Sequence, residues 1–176
     1  NTPDPEGGKI VRDASGEPTG VLVDAAGWMV WGLIPEPPTQ EKLPYMQEIS
    51  SYMALSGITS FMDAASGPDG LDLYAALAES GGLHQRVRPA LSIPEALFGD
   101  PSGAVAWAND LARAYAHVPD LSFGTVKIFL DGVMEYPAQT AALLQPYLDE
   151  AGNPTTNQGN LYVDVKTLSN IVTTFD

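Results

Sequence analysis

Short apolar runs alternate with segments of helical periodicity over most of this 176-residue chain. Three apolar runs predict β-strands; they lie at 58–62, 86–93 and 124–132. Other segments repeat apolar side chains at the spacing of an amphipathic helix; they cover 39–56, 71–80, 101–116 and 164–175. Strands that alternate with helices predict right-handed crossovers and a parallel sheet, and therefore an α/β fold.

The amino-terminal part has a different pattern. Residues 9–13 and 19–23 flank a short polar segment in which Gly16 can supply the positive φ of a tight turn, which predicts a β-hairpin. The proline-rich segment 34–38 predicts a stiff connector. The sequence thus predicts a hairpin and proline-rich segment over 1–38 and an α/β part over 39–176.

One lysine stands inside the last predicted strand. Side chains alternate along a strand, so Lys127 is expected to share a face with Thr125, Phe129 and Asp131. Because an isolated ammonium group in an apolar core is very costly, Lys127 should face water, a paired carboxylate, or a metal or ligand. Strands of a parallel α/β barrel have this two-sided character, since one side packs on helices and the other lines a lumen that holds active sites at its carboxyl-end mouth.

The number of strands limits how complete such a barrel can be. Three strands are too few for a closed barrel of about eight, so we expect a partial barrel that is incomplete at both ends. The chain lacks an initiator methionine and stops within a predicted helix, from which we expect an internal fragment. Open strand edges and a bare lumen face need covering, so we expect self-association or contact with the missing remainder of the barrel.

Composition excludes several classes of partner. Eight Lys and Arg stand against 22 Asp and Glu, giving a formal charge of −14, which argues against binding to nucleic acid or to anionic membranes. The sequence has no apolar run of membrane-spanning length and no signal-peptide pattern at its start, so we expect a cytoplasmic location. The absence of cysteine excludes disulfides and thiolate metal sites.

Several short motifs occur in an order and at a spacing that are more specific than any one of them. They are 7–13 (GGKIVRD) with 16–22 (GEPTGVL), 57–60 (GITS) with Asp63-Ala64, and 126–132 (VKIFLDG) with 140–143 (TAAL). Together they resemble the YtcJ-like group, or amidohydrolase-3 family, of the metal-dependent amidohydrolase superfamily. The second pair is similar to the second barrel strand of that family, and the third pair to its fourth strand.

The resemblance implies a fold and an activity. It implies a partial TIM (β/α) barrel that covers about strands two to four, with the hairpin as an insertion. It also implies a parent hydrolase that acts on carbon–nitrogen bonds other than peptide bonds, such as those of amides, formamides or N-acyl amines, through water activated by a divalent metal, usually zinc. The implied partner is a small-molecule substrate. Lys127 matches a lysine that CO2 carboxylates in many superfamily members, where the carbamate bridges two metals.

The other metal ligands implied by the resemblance are missing from the sequence. The superfamily uses a His-x-His pair on the first strand, single histidines on the fifth and sixth, and an aspartate on the eighth. This chain has only His84 and His117, and neither occurs in such a pattern. We therefore expect the fragment alone to bind no metal and to hydrolyse nothing.

Two aspartates are candidate catalytic residues. Asp131 could orient Lys127 or a substrate group, but an aspartate before Gly132 could equally be a turn residue or an ion-pair partner for the lysine. Asp63 is expected at the barrel mouth at the end of its strand. The alternative for Asp63 is to cap the backbone of the following loop.

Three further residues, Arg88, Trp28 and Trp31, are candidates for binding substrate. Arg88 and Ser92 could face the lumen, where Arg88 could bind a substrate carboxylate through two parallel hydrogen bonds or pair with an aspartate inside the barrel. Trp28 and Trp31 could cover a substrate pocket or pack the insertion on the barrel.

A second class of function stays open at this stage. The chain could be a non-catalytic regulatory or binding protein on a barrel scaffold, because some members of the resembled family are described as regulators of exoenzyme production. Metal ligands in the sequence on either side of this chain would favour the enzyme, and a native chain of this length would favour the regulator.

Overall fold

The computed structural model describes residues 2–5 and 8–176. These residues form two compact units, each described here by itself. The first contains the described residues up to Glu36 and Phe129–Tyr162; the second contains Pro37–Ile128 and Val163–Asp176. The boundary predicted between residues 38 and 39 stays a prediction. Gly7, which opens one of the family-like motifs, lies outside the described residues.

The first unit begins with the predicted hairpin. Strands β1 (Gly8–Arg12) and β2 (Pro18–Asp24) pair antiparallel, and Gly16 has a φ of 87° in the turn between them. Hydrogen bonds to the Asp13 carboxylate, first from the Ser15 hydroxyl and then from backbone N–H groups, tie this turn together and lower the pKa of Asp13. The hairpin prediction is confirmed, and helix α1 (Ala25–Trp31) follows it directly.

The rest of the first unit, Phe129–Tyr162, contains no helix or strand of its own. Backbone hydrogen bonds join its distant parts, such as the 2.8 Å bonds from Tyr162 N–H to the Leu130 carbonyl and from Leu143 N–H to the Gln158 carbonyl. These bonds close the segment on itself.

The second unit is built on a parallel sheet. Strands β3 (Ser60–Ser66), β4 (Arg86–Ser92) and β5 (Thr125–Lys127) pair parallel in the order β3-β4-β5. Helix α3 (Pro68–Glu79) joins the first two strands, and helix α4 (Pro101–Ala114) lies between the second and third. Consecutive strands are therefore neighbours in the sheet, and the α/β prediction is confirmed.

The two faces of this sheet differ in burial. Val87 and Leu91 alternate on one face of β4 and are 1% and 2% exposed, and Leu71 and Leu77 of α3 are also buried. Arg88, whose side chain projects to the opposite face, is exposed. This one-sided burial fits a sheet that packs on helices on one side.

Two further helices complete the second unit. Helix α2 (Thr39–Leu55) follows Pro38 directly, and Thr39 is its first residue. Helix α5 (Val165–Phe175) begins as predicted at Asp164, whose carboxylate accepts hydrogen bonds from the N–H groups of Lys166 and Thr167. Among the described helices, none combines the length and apolarity that a bilayer crossing requires.

The predicted ends of two strands were wrong. β3 continues through Ser66, so Asp63 lies within a strand and not at its end. β5 ends at Lys127, five residues earlier than predicted, although the alternation of apolar residues continues to Leu130. The Leu130 carbonyl is bonded instead to Tyr162, outside the sheet.

The contact between α3 and α4 predicts a dependence of stability on alkaline pH. Tyr115 donates a 2.5 Å hydrogen bond to Asp72, and burial, followed by this bond, raises the pKa of Tyr115 to about 12. The folded state therefore keeps the phenol proton that the unfolded state loses near pH 10. The stabilisation is complete below about pH 10 and is lost as the pH rises through about 12.

We expect the unfolding free energy of the wild type to fall more steeply between about pH 10 and 12 than that of Tyr115→Phe. Urea unfolding at a series of pH values measures this difference. Parallel profiles for the two proteins would show that the hydrogen bond does not hold the proton.

Candidate functional site

The carboxyl ends of β4 and β5 bring Lys127 beside Ser92. These residues end their strands and are in register, and the Ile93 N–H donates a 2.9 Å hydrogen bond to the Lys127 carbonyl. Residues in register on neighbouring parallel strands project to the same face, about 4.8 Å apart. The Lys127 side chain therefore projects from the face of the sheet that bears Arg88 and Ser92, not from the helix-packed face. Lys127 is half-buried there.

The Ser92 hydroxyl is distinctive at this edge. Its Oγ is buried, and it has no hydrogen-bond partner in the part of the chain that the structure describes. Buried polar side-chain atoms nearly always have a partner in folded proteins. The carboxyl end of β4 thus carries an unsatisfied hydroxyl group on the same face as Lys127.

Asp63 lies on the other face of the sheet. It is in register with Pro89, between Val87 and Leu91 on the helix-packed face. Its Oδ2 accepts hydrogen bonds from the Ser66 hydroxyl at 2.7 Å and from the Tyr74 hydroxyl of α3 at 3.2 Å. Asp63 thus connects its own strand to the following helix, and its expected catalytic role stays a prediction.

Tyr74 is the residue that sequence reasoning missed here. It is 7% exposed and contacts the Phe61 ring at 6.3 Å between centroids. Burial, followed by the charge of Asp63 and its hydrogen bond, raises the pKa of Tyr74, so the phenol stays protonated and donates. The spacing of Asp63 and Ser66 could have indicated a local turn, but nothing in the sequence pairs Asp63 with Tyr74.

The contacts of Asp63 predict a loss of stability without a loss of chemistry. We expect Asp63→Ala to lower the unfolding free energy by about 1–3 kcal/mol, because it leaves the buried Tyr74 hydroxyl without its acceptor. The Asp63→Ala/Tyr74→Phe double variant should recover part of that loss. Chemical denaturation of the four proteins in the cycle measures the coupling.

Enzyme activity separates this structural role from the catalytic one. For the hydrolysis that the sequence leads us to expect of a longer parent protein, Asp63→Ala should stay within about threefold of wild type, as expected for a residue outside the reacting centre. A fall of a hundredfold with unchanged stability would instead identify Asp63 as catalytic.

Arg88 lies on the same face as Lys127 but far along the strand. It lies four positions before Ser92, which corresponds to about 13 Å toward the amino end of β4. Its side chain is exposed, and within 2–5 and 8–176 it forms no ion pair with a carboxylate. Active sites of barrels lie at the opposite, carboxyl end of the strands. This position does not favour direct contact with a substrate.

The remaining candidates belong to the first unit, whereas Lys127 belongs to the second. Asp131 Oδ2 accepts a 3.0 Å hydrogen bond from Ala142 N–H, so its carboxylate orders the surrounding loop. Trp28 and Trp31 lie on α1 and contact each other edge to face, with ring centroids 6.3 Å apart. They are 70% and 60% exposed.

The residues of this chain do not fit a complete metal centre. Among the described residues, no three His, Cys, Asp or Glu side chains come together as a metal-binding group. His84 and His117 are both exposed. Lys127 offers one nitrogen atom, or carbamate oxygens after reaction with CO2, and a metal bound here would need additional ligands.

Comparison with known proteins agrees on one family. The model of the Amidohydrolase family matches residues 1–174. A protein named as an amidohydrolase, YtcJ of Bacillus subtilis (strain 168), is 30% identical over 174 residues, covering 98% of this chain. Protein LONG AFTER FAR-RED 3 of Arabidopsis thaliana is 29% identical over 189 residues, covering 99% of this chain. The chain spans 30% of the length of each of these relatives.

A solved structure supports the fold. An uncharacterized metal-dependent hydrolase from Pyrococcus furiosus superposes with a TM-score of 0.55 at 20% identity, over 93% of this chain and 32% of that protein. This similarity concerns the fold alone. Because the family model extends over nearly the whole sequence, the chain belongs to the amidohydrolase family.

Proposed function

We propose that this chain supplies three consecutive strands, about the second to the fourth, of the (β/α) barrel of a metal-dependent amidohydrolase. Two observations support the proposal. The strands are parallel and adjacent in sequence order, which is the arrangement of a barrel segment. The chain also matches the family along almost its entire length while spanning 30% of its relatives.

The reaction we propose is hydrolysis of a carbon–nitrogen bond outside peptides, in a small amide, formamide or N-acyl amine. The position of Lys127 carries this proposal. It ends β5 on the face opposite the helices, at the end of the strands where barrel enzymes hold their sites. A divalent metal, with zinc as the first candidate, would supply an activated water in the full-length protein.

Lys127 would act through a carbamate. The neutral amine attacks the carbon of CO2, an N–C bond forms, one C–O π bond gives its electron pair to oxygen, and a proton leaves the nitrogen. The product replaces a cationic or neutral group by an anion with two oxygen donors. Lysine suits this reaction because its terminal amine, in the neutral form, is a nucleophile on a flexible stem.

The 176-residue chain alone should be inactive and should self-associate. Met62 on β3 is 52% exposed, and β3 and β5 are the outer strands of the three that the second unit contains. Such surfaces are expected to be covered by the remainder of a barrel or by a second copy. We also propose no binding to nucleic acid, on the basis of the charge of −14, and keep the cytoplasmic location as an untested proposal.

The test is a hydrolysis assay on the full-length protein. Purified protein is depleted of metal, loaded with zinc, and given a panel of N-acyl amines, formamides and primary amides, with released amine or ammonia as the readout. We expect zinc-dependent turnover of at least one class. Zinc binding without turnover of any class would contradict the proposed reaction and favour the regulatory alternative.

A further inference from the structure

Ser92 carries a group that the local fold leaves unsatisfied. Its Oγ is buried without a partner among the described residues, so the hydroxyl has lost its water without gaining a hydrogen bond. The neighbouring backbone group is satisfied, since Ile93 N–H donates a hydrogen bond to the Lys127 carbonyl. An isolated group of this kind indicates a partner other than the described residues of the chain.

The position of Ser92 limits what that partner is. Leu91 of β4 projects to the opposite face and is buried there, and Ile93, the residue after the strand, is also buried. The last β3 residue in register with β4 is Ser66, which pairs with Leu91, so β3 places no residue opposite Ser92. On the β5 side Ser92 is in register with Lys127. The neighbouring side chain on this face is therefore that of Lys127.

We infer that Ser92 is a positioning residue whose hydroxyl donates a hydrogen bond to a carbamate oxygen on Lys127. This inference rests on the proposed carboxylation of that lysine. Serine fits the position because its side chain is short and leaves room for the lysine stem to lean toward β4. A hydrogen bond to an anionic oxygen is also stronger than one between neutral groups.

The bond would form in only one state of the lysine. An ammonium group has three donors and no acceptor, so it cannot accept a hydrogen bond from the Ser92 hydroxyl. The hydroxyl could accept one from the ammonium group, but its Oγ forms no such bond in the structure. The carbamate has two anionic oxygens that can accept a hydrogen bond from the hydroxyl. Ser92 would therefore stabilise the product of CO2 addition relative to the unmodified lysine and shift that equilibrium toward the carbamate.

The experiment titrates zinc-loaded full-length protein with ¹³C-labelled bicarbonate and follows the carbamate carbon by NMR, with the loss of that signal in Lys127→Ala as its assignment. We expect Ser92→Ala to raise the bicarbonate concentration for half-carboxylation about tenfold. Ser92→Thr, which keeps a hydroxyl, should stay within about threefold. Ser122→Ala removes an exposed hydroxyl from the segment before β5 and should leave the titration unchanged.

Thermal unfolding gives a second, independent readout. Without CO2, Ser92→Ala should be at least as stable as wild type, because the hydroxyl has no partner to lose. With saturating bicarbonate, wild type should gain more stability than the variant. A stability loss that is the same in both conditions would assign Ser92 a purely structural role and overturn the inference.

The titration distinguishes the proposed carboxylation of Lys127 from the proposed hydrogen bond of Ser92. If wild type shows no carbamate signal, the proposed role of Lys127 is wrong and the inference about Ser92 falls with it. If wild type and Ser92→Ala titrate identically, Lys127 keeps its proposed role and only the assignment of Ser92 is overturned.

Discussion

Lys127→Ala is expected to lower kcat/KM for the proposed amide hydrolysis by the full-length protein about a thousandfold or more, with little effect on unfolding. The expected loss is large because the proposed carbamate would be a ligand of the divalent metal that would activate water. The metal would lower the free energy of the transition state, so its loss should lower the rate. The stability change should be small because Lys127 is half-buried at the end of a three-residue strand. Steady-state kinetics and chemical denaturation of the same preparations measure both effects.

A matched lysine provides the control. Lys166 is exposed near the start of α5 in the same unit, and Lys166→Ala should keep kcat/KM within about twofold of wild type. Acetate or propionate should restore part of the activity of Lys127→Ala, since a small carboxylate can occupy the space of the lost carbamate. Full activity of Lys127→Ala without added acid would contradict the proposed role.

The strands and helices of the second unit could be predicted well because the spacing of apolar residues in the sequence reflects which side chains are buried. Strand β4 buries Val87 and Leu91 on one face, and α3 buries Leu71 and Leu77 against the interior. These side chains produce the period of two in the strand and the helical spacing in the helix, so their elements could be recognised without coordinates. The face shared by Lys127 and Ser92 follows from the same alternation once the strands are placed in register.

The end of β5 could not be predicted in this way. Ile128 and Leu130 continue the apolar alternation, but a strand also requires backbone partners. The Leu130 carbonyl is bonded to the N–H of Tyr162, thirty-two residues later, and this partner left no local mark in the sequence. Non-local hydrogen bonding overrode a correct local pattern.

Asp63 illustrates the corresponding limit for the site. The expectation that it lies at a strand end was wrong because β3 continues through Ala64 and Ala65 to Ser66. Its contact with Tyr74 exists because α3 packs against β3, eleven residues further along the chain. The sequence pattern alone gives the residue type and its approximate place in the strand. The packing of the next helix determines which side chains contact the carboxylate.

Gly159→Ala is expected to destabilise the first unit by about 2–5 kcal/mol. Gly159 has a φ of 69°, which costs a residue with a Cβ about 1–2 kcal/mol. A Cβ at this position would also overlap the backbone carbonyl of Ala141, and such overpacking typically adds about 1–3 kcal/mol. This contact is made within Phe129–Tyr162, the segment that contains the family-like motif at 140–143.

Gly152→Ala separates the two contributions. Gly152 has a similar φ of 82° in the same segment, but a Cβ there meets no atom within 4 Å, so only the conformational cost of about 1–2 kcal/mol is expected. Hydrogen exchange of the Leu143 amide, which donates to the Gln158 carbonyl, reports the opening of this segment in both variants. Equal loss of protection in the two variants would mean that the Ala141 carbonyl can move aside, and that the close packing around Gly159 does not hold the segment together.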